Sequence, residues 1–130
     1  MAKTVLKSPI LITPNGIMSH GVKVPAGNMV FVSGQVARDS KGQLVGKGDI
    51  TAQTKQVLEN LKSVLEAGGA TLDDVVKVTV YALDVLGHYD QIHAARAEYF
   101  KSDYPASTMV EVRSLVDPDM LIEIEAIAVV

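Results

Sequence analysis

Met120-Leu121-Ile122-Glu123-Ile124-Glu125-Ala126-Ile127-Ala128-Val129-Val130 reads as a β-strand with two unlike faces. Ile122, Ile124, Ala126 and Ala128 project to one side, and Leu121, Glu123, Glu125, Ile127 and Val129 to the other. Neither side is polar throughout. A half-solvated strand keeps one polar face, so this run predicts a sheet that is covered on its second face as well. Its two glutamates then sit at a seam or in a cavity rather than in open water.

The elements before it supply cover for one face only. Gly21–Val24 and Met29–Ser33 are β-rich runs flanking Pro25-Ala26-Gly27-Asn28, which predicts a hairpin. After a turn at Asp39-Ser40-Lys41-Gly42, Asp49 caps a helix in which Ile50, Val57, Leu58, Leu61, Val64 and Leu65 recur at three- and four-residue spacing, and Gly68-Gly69 ends it. Val75–Leu83 is a strand with Val76, Val78 and Val80 on one face and Lys77, Thr79 and Tyr81 on the other. Leu86–Phe100 predicts a second helix with Tyr89, Ile92, Ala95 and Tyr99 on its apolar stripe, stopped by Tyr104-Pro105. Strands over Ser107–Val112 and Met120–Val130 follow, joined through Asp117-Pro118-Asp119. This order predicts an α+β fold with both helices on one face of the sheet. The other face is left to further copies of the chain, so an oligomer is expected.

A chain of 130 residues has room for one core, and a single domain over 1–130 is expected. Hydrophobic residues at 48% against 21% charged exclude disorder for the bulk. With no apolar window of about 18 residues, and no signal-peptide pattern after Met1-Ala2-Lys3-Thr4, no membrane partner and a cytoplasmic location are expected. The absence of cysteine removes disulfides, thiolate nucleophiles and Cys-ligated metal centres. Twelve Lys and Arg against 15 Asp and Glu give a net charge of −3 without a basic stripe, which argues against nucleic acid as a partner.

Gly42-Gln43-Leu44-Val45-Gly46-Lys47-Gly48 is not a phosphate loop, because its glycines are one residue too close and Gly48 stands where Ser or Thr must hold magnesium. His88 and His93, five residues apart, point about 140° away from one another on a helix and cannot share a metal. His88 reads as a solvated residue at a helix start, and His93 as one that either lines the core or reaches a pocket. Glu123, flanked by Leu121, Ile122, Ile124 and Ile127, is costly to bury unless it is hydrogen-bonded or does chemistry. An interface salt bridge is the structural alternative. Glu125 shares its face at about 7 Å, and the pattern does not choose between the two. Ser33-Gly34-Gln35 is a small, flexible strand end suited either to backbone contact with a ligand or to a plain β-bulge. No His–Asp pairing supports a nucleophilic Ser107, which reads as a polar liner.

Four groups of residues together resemble the YjgF/RidA family of reactive-intermediate (enamine/imine) deaminases. They are Ala26-Gly27-Asn28 through Phe31-Val32-Ser33-Gly34-Gln35; Ala52-Gln53-Thr54 with Leu58-Glu59-Asn60-Leu61; Asp74-Val75-Val76-Lys77; and Ile122-Glu123-Ile124-Glu125-Ala126-Ile127-Ala128. The similarity runs from about Ser19 to the C-terminus. It implies a chorismate-mutase-like α+β fold, with a mixed sheet and two helices on one face, and a homotrimer whose three clefts lie between subunits.

In such deaminases a 2-imino acid is hydrolysed to a 2-keto acid and ammonia without metal or organic cofactor. A last-strand glutamate and a backbone carbonyl place the water, and an arginine after Pro-Ala clamps the substrate carboxylate. The resemblance maps the glutamate onto Glu123, and the strand-end serine and glycine onto Ser33 and Gly34. Ser107 stands where the arginine is usual, Met109 where cysteine is often found, Met18 where tyrosine is usual and His93 where asparagine is. A serine does not reproduce the planar, charge-assisted grip of a guanidinium on a carboxylate. The resemblance therefore implies a small-molecule imine or enamine substrate with altered preference, weak turnover of small 2-imino acids, and a gain from Ser107→Arg. Arg113, four residues beyond Met109 on the same side of its strand, and Arg38 are the cations weighed as replacements. A non-catalytic trimer that binds a small metabolite in the same clefts is the alternative. Some family members are described as endoribonucleases, a role against which the net charge argues.

Overall fold

The computed structural model describes residues 3–130. Met1 and Ala2, part of the stretch read for a signal peptide, lie outside the described residues. The alternating run at the C-terminus becomes a central strand, β6 (Ile122–Val129), which lies antiparallel between β3 (Met29–Gln35) and β4 (Val75–Ala82). β5 (Ala106–Glu111) adds parallel to β4, so the sheet is mixed with the order β3-β6-β4-β5. Ile122, Ile124, Ala126 and Ala128 of β6 are buried, together with Val78 and Val80 of β4 and Val32 of β3. This is the helix-covered face, as the alternation predicts.

Two helices supply the cover. α1 (Ile50–Ala67) starts at Asp49, whose carboxylate accepts a hydrogen bond from the Ala52 amide at 3.0 Å and so satisfies one of the helix's free donors. Ile50, Val57, Leu58, Leu61 and Leu65 are buried against β6, β3 and α2 (Val85–Ala97), while Val64 turns out to solvent. Gln53 sits in the same stripe at 0% exposure. Its amide is fully used, with Nε2 donating to the carbonyls of Gly46 at 3.2 Å and Asp119 at 2.8 Å, and Oε1 accepting from the Leu121 amide at 2.9 Å. Those bonds fix the entry to β6 two residues before Glu123.

α2 starts at Asp84, held in the left-handed region at φ 45°, whose side chain accepts from the Gly87 amide. Its inward stripe differs from the expected one. Ile92, Ala95 and Arg96 are buried, Tyr89 is exposed, and Tyr99 lies beyond the helix, which ends at Ala97. With the helix three residues shorter than its apolar pattern, Arg96 occupies the inward place in the last turn.

The turn at Pro25–Asn28 does not close the expected hairpin. β2 (Gly21–Lys23) pairs instead with β1 (Thr4–Leu6), a run too short to register by alternation, and β3 pairs with β6. The Asn28 amide donates to the Val130 carbonyl at 2.7 Å, and the Val130 amide to the Asn28 carbonyl at 2.9 Å, so the turn delivers β3 to the end of β6. A seven-residue strand gains a longer ladder there than three-residue β2 offers it. The β3–β6 register jumps between Val32 and Gln35, which makes Ser33-Gly34 a bulge.

The helix-free face carries Glu123, Glu125 and Ile127 of β6 beside Phe31 of β3 and Tyr81 of β4. Phe31 is 66% exposed. No helix among the described residues is long and apolar enough to cross a membrane.

Candidate functional site

The buried side chain of Ser19 organises the first part of the site. Its amide donates to the Pro105 carbonyl at 3.1 Å, its hydroxyl to the Tyr104 carbonyl at 2.8 Å, and it bridges to Ala106. Ile17 and Met18 are thereby laid alongside the start of β5. In register, Ser107 and Met109 of β5 stand beside Val78 and Val80, on the helix-covered face. Across from them α2 offers Tyr89, His93 and Arg96, residues spaced to share one face of a helix. Ile17, Met18, Tyr89, His93, Arg96, Ser107 and Met109 line a cavity of about 120 Å³. Four residues singled out from the sequence, Met18, His93, Ser107 and Met109, thus meet in one place.

Arg96 is the member that the sequence pattern did not reveal. It is 5% exposed, and its Nη2 donates to the Ile17 carbonyl at 3.1 Å and to Ser107 Oγ at 3.0 Å. Both acceptors are neutral, and Arg96 makes no ion pair among the described residues. Burial lowers its pKa to about 10, partly offset by Tyr89, so it remains a cation at neutral pH. A cation near the end of a helix is also what the helix dipole favours on an open surface, and that bland signal hid it. His93 packs against Tyr89 with ring centroids 5.9 Å apart. His88, expected to be solvated, is half-buried with Nδ1 2.8 Å from the Leu83 carbonyl.

The two arginines weighed as replacements lie elsewhere. Arg113 is exposed and falls beyond the end of β5, so strand alternation no longer aims it toward Met109. Arg38 is exposed in the loop after β3 and shares a shallow groove of about 440 Å³ with Gly34, Gln35 and Asn60. A further cavity of about 500 Å³ is walled by β1, the 7–16 segment and Tyr104, and it meets the residues above at Met18, Ser19 and Tyr104.

The second part of the site is on the other face of the sheet. Glu123 is half-buried, and Gly34 lies directly against it: a Cβ on Gly34 would overlap the Glu123 carboxylate. The bulge therefore has a use, since it brings a backbone without a side chain against an acid. Ser33 is exposed, and its carbonyl accepts from Gln35 Nε2 at 3.1 Å. Among the described residues Glu123 makes neither an ion pair nor a side-chain hydrogen bond. Glu125, opposite Thr79, is exposed. Of the two carboxylates, Glu123 is the enclosed one. One copy of the chain thus holds Ser33, Gly34 and Glu123 on the helix-free face, and Met18, His93, Ser107 and Met109 with Arg96 on the helix-covered side.

Residues 12–130 match the family described as endoribonuclease L-PSP. The chain is 46% identical to a RutC family protein of Pyrococcus abyssi over 98% of both chains. It is similar over its whole length, and over all of that chain, to the crystal structure of YyfB, a conserved Rid family protein of Yersinia pestis, with 37% identity and a TM-score of 0.92. It also resembles Escherichia coli TdcF, solved with bound serine, at 30% identity and a TM-score of 0.72 over 98% of both chains. The chain belongs to the YjgF/RidA family, also described as endoribonuclease L-PSP.

Proposed function

We propose that the chain hydrolyses a reactive imine or enamine to the corresponding keto compound and ammonia, in clefts between the subunits of a homotrimer. The observation that carries this reading is Glu123: a half-buried carboxylate without an ionic partner among the described residues, set against a side-chain-free backbone at Gly34. Such a group accepts a hydrogen bond from a water and directs it at an electrophilic carbon. Water oxygen bonds to the imine carbon while its proton passes to Glu123. That proton is returned to nitrogen to give a carbinolamine, and the hydroxyl proton then passes through Glu123 to nitrogen as the C–N bond breaks, leaving the keto C=O and ammonia. An enamine enters the same sequence after protonation at carbon. This chemistry needs no redox partner, and the reading invokes no metal or organic cofactor.

The trimer supplies what one copy lacks. With the two residue sets on opposite faces of the sheet, the Ser33, Gly34 and Glu123 side of one subunit meets the Met18, His93, Ser107 and Met109 side of the next. Covering Phe31 and Ile127 at that junction removes apolar surface from water. The relative TdcF, solved with bound serine, is consistent with a small amino-acid-like ligand.

The test is the release of keto acid and ammonia from imines generated in solution by an amino-acid oxidase. Acceleration in proportion to added protein supports the reading, and release at the buffer rate for every imine tried overturns it. In the second outcome, binding of a small metabolite without turnover becomes the better account.

A further inference from the structure

We propose that Arg96, braced by Ser107, is the anchor for the carboxylate of a small ligand, so that the cation absent from strand β5 is supplied by helix α2. Three observations converge on the cavity that these residues line. Among the described residues a guanidinium at 5% exposure has only two neutral oxygens as hydrogen-bond partners, and both bonds come from one nitrogen. No buried side-chain nitrogen or oxygen among the described residues lacks a partner. The remaining donors of Arg96 therefore open onto accessible space, and the space that this side chain lines is the cavity. A buried charge without a counterion is unfavourable, and an entering anion makes charge-assisted bonds to a donor fork already held in place.

The size and walls of the cavity define the ligand. About 120 Å³ is the share of roughly four waters, which fits a carboxylate with a short substituent and rejects a long or branched one. Ile17, Met18 and Met109 give the substituent an apolar wall, while Ser107 and His93 keep the polar side. Ser107 contributes no charge, but its hydroxyl accepts from Nη2 and fixes the plane of the guanidinium. That the anchored carboxylate belongs to an imine substrate rests on the proposed hydrolase reading; that a small carboxylate binds here does not.

The probes are pyruvate and its neutral amide, pyruvamide, titrated calorimetrically into the full-length protein. Pyruvate is expected to bind at least about tenfold more tightly than pyruvamide. Arg96→Met is expected to weaken pyruvate by roughly tenfold to a hundredfold and to leave pyruvamide unchanged, the loss of one charged hydrogen-bonding partner. Ser107→Ala, which keeps the charge and removes only the brace, should weaken pyruvate by a smaller factor. Equal affinity for the two probes, or an unchanged pyruvate affinity in Arg96→Met, overturns the proposal. If Arg96→Met does not fold, the side-chain Nε–H resonances of the unmodified protein decide. Its three arginines are Arg38, Arg96 and Arg113, and only that of Arg96 should move with pyruvate. No movement there overturns the anchor. The two proposals fail separately: Arg96-dependent pyruvate binding without imine turnover overturns the hydrolase and keeps the anchor, whereas imine turnover insensitive to Arg96→Met does the reverse.

Discussion

Nη2 of Arg96 lies 3.0 Å from Oγ of Ser107, across a gap between a helix and a strand that are consecutive in sequence. Ser107 of β5 is therefore the residue that receives the only guanidinium lining this cavity.

That pairing reverses the sequence-based expectation for Ser107→Arg. A second guanidinium here would sit beside a buried first one in about 120 Å³, so repulsion and overpacking are expected to destabilise the protein by about 1–3 kcal/mol. Thermal unfolding should show a lower midpoint, and turnover should fall. A variant as stable as the unmodified protein and more active would show that Arg96 does not fill the role.

Gly34→Ala should separate stability from activity. The added methyl overlaps the far end of a flexible acid rather than backbone, so Glu123 is pushed aside at a stability loss of about 1 kcal/mol or less, while turnover falls about tenfold or more. Glu123→Gln should lower the rate by roughly a hundredfold with the assembly intact, and Glu125→Gln should be mild. Gly34→Ala should add little on top of Glu123→Gln, because both act through one carboxylate. Additive losses in the double variant would place the effect of Gly34 elsewhere.

The strands and helices were legible in the sequence because their apolar residues repeat over many turns or pleats, as in Ile122 to Ala128 and Ile50 to Leu65. Pairing was less legible. Three-residue β1 carries too few alternations to signal a strand, so β2 was read without its partner, and β3 chose its own by ladder length, a property of the whole sheet. For the candidate site, the family resemblance pointed to Glu123, Gly34 and Ser107, but not to the close approach of Gly34 and Glu123. Arg96 escaped notice because its importance depends on where α2 stops and on what packs over it. Neither is written in local periodicity.

Gln53→Leu tests how the site is held. The change keeps volume and apolarity but strips partners from the Leu121 amide and the Gly46 and Asp119 carbonyls. A loss of about 2–4 kcal/mol is expected from chemical denaturation, larger than for a typical surface change. A loss under about 1 kcal/mol would mean that water replaces the amide without harm.

The pH dependence of pyruvate affinity identifies the charged anchor. The ionisable side chains lining the cavity are Tyr89, His93 and Arg96, all from α2, since β5 and the 17–18 segment contribute Ser107, Met109, Ile17 and Met18. Burial lowers the Arg96 pKa from 12.5 only to about 10, so its charge persists and affinity should be flat from pH 6 to about 9, falling above about 10. A fall across the range in which histidines ordinarily titrate would name His93 as the anchor instead.

The most direct measurement mixes defects. Glu123→Gln and Arg96→Met chains, each nearly inactive alone, are co-expressed in equal amounts and the imine hydrolysis rate is measured. If each cleft takes Arg96 from one subunit and Glu123 from its neighbour, random assembly of closed trimers restores both residues in roughly a quarter of the clefts, and about that fraction of the unmodified rate should return. A mixture no faster than the average of the two variants measured separately would contradict a shared cleft.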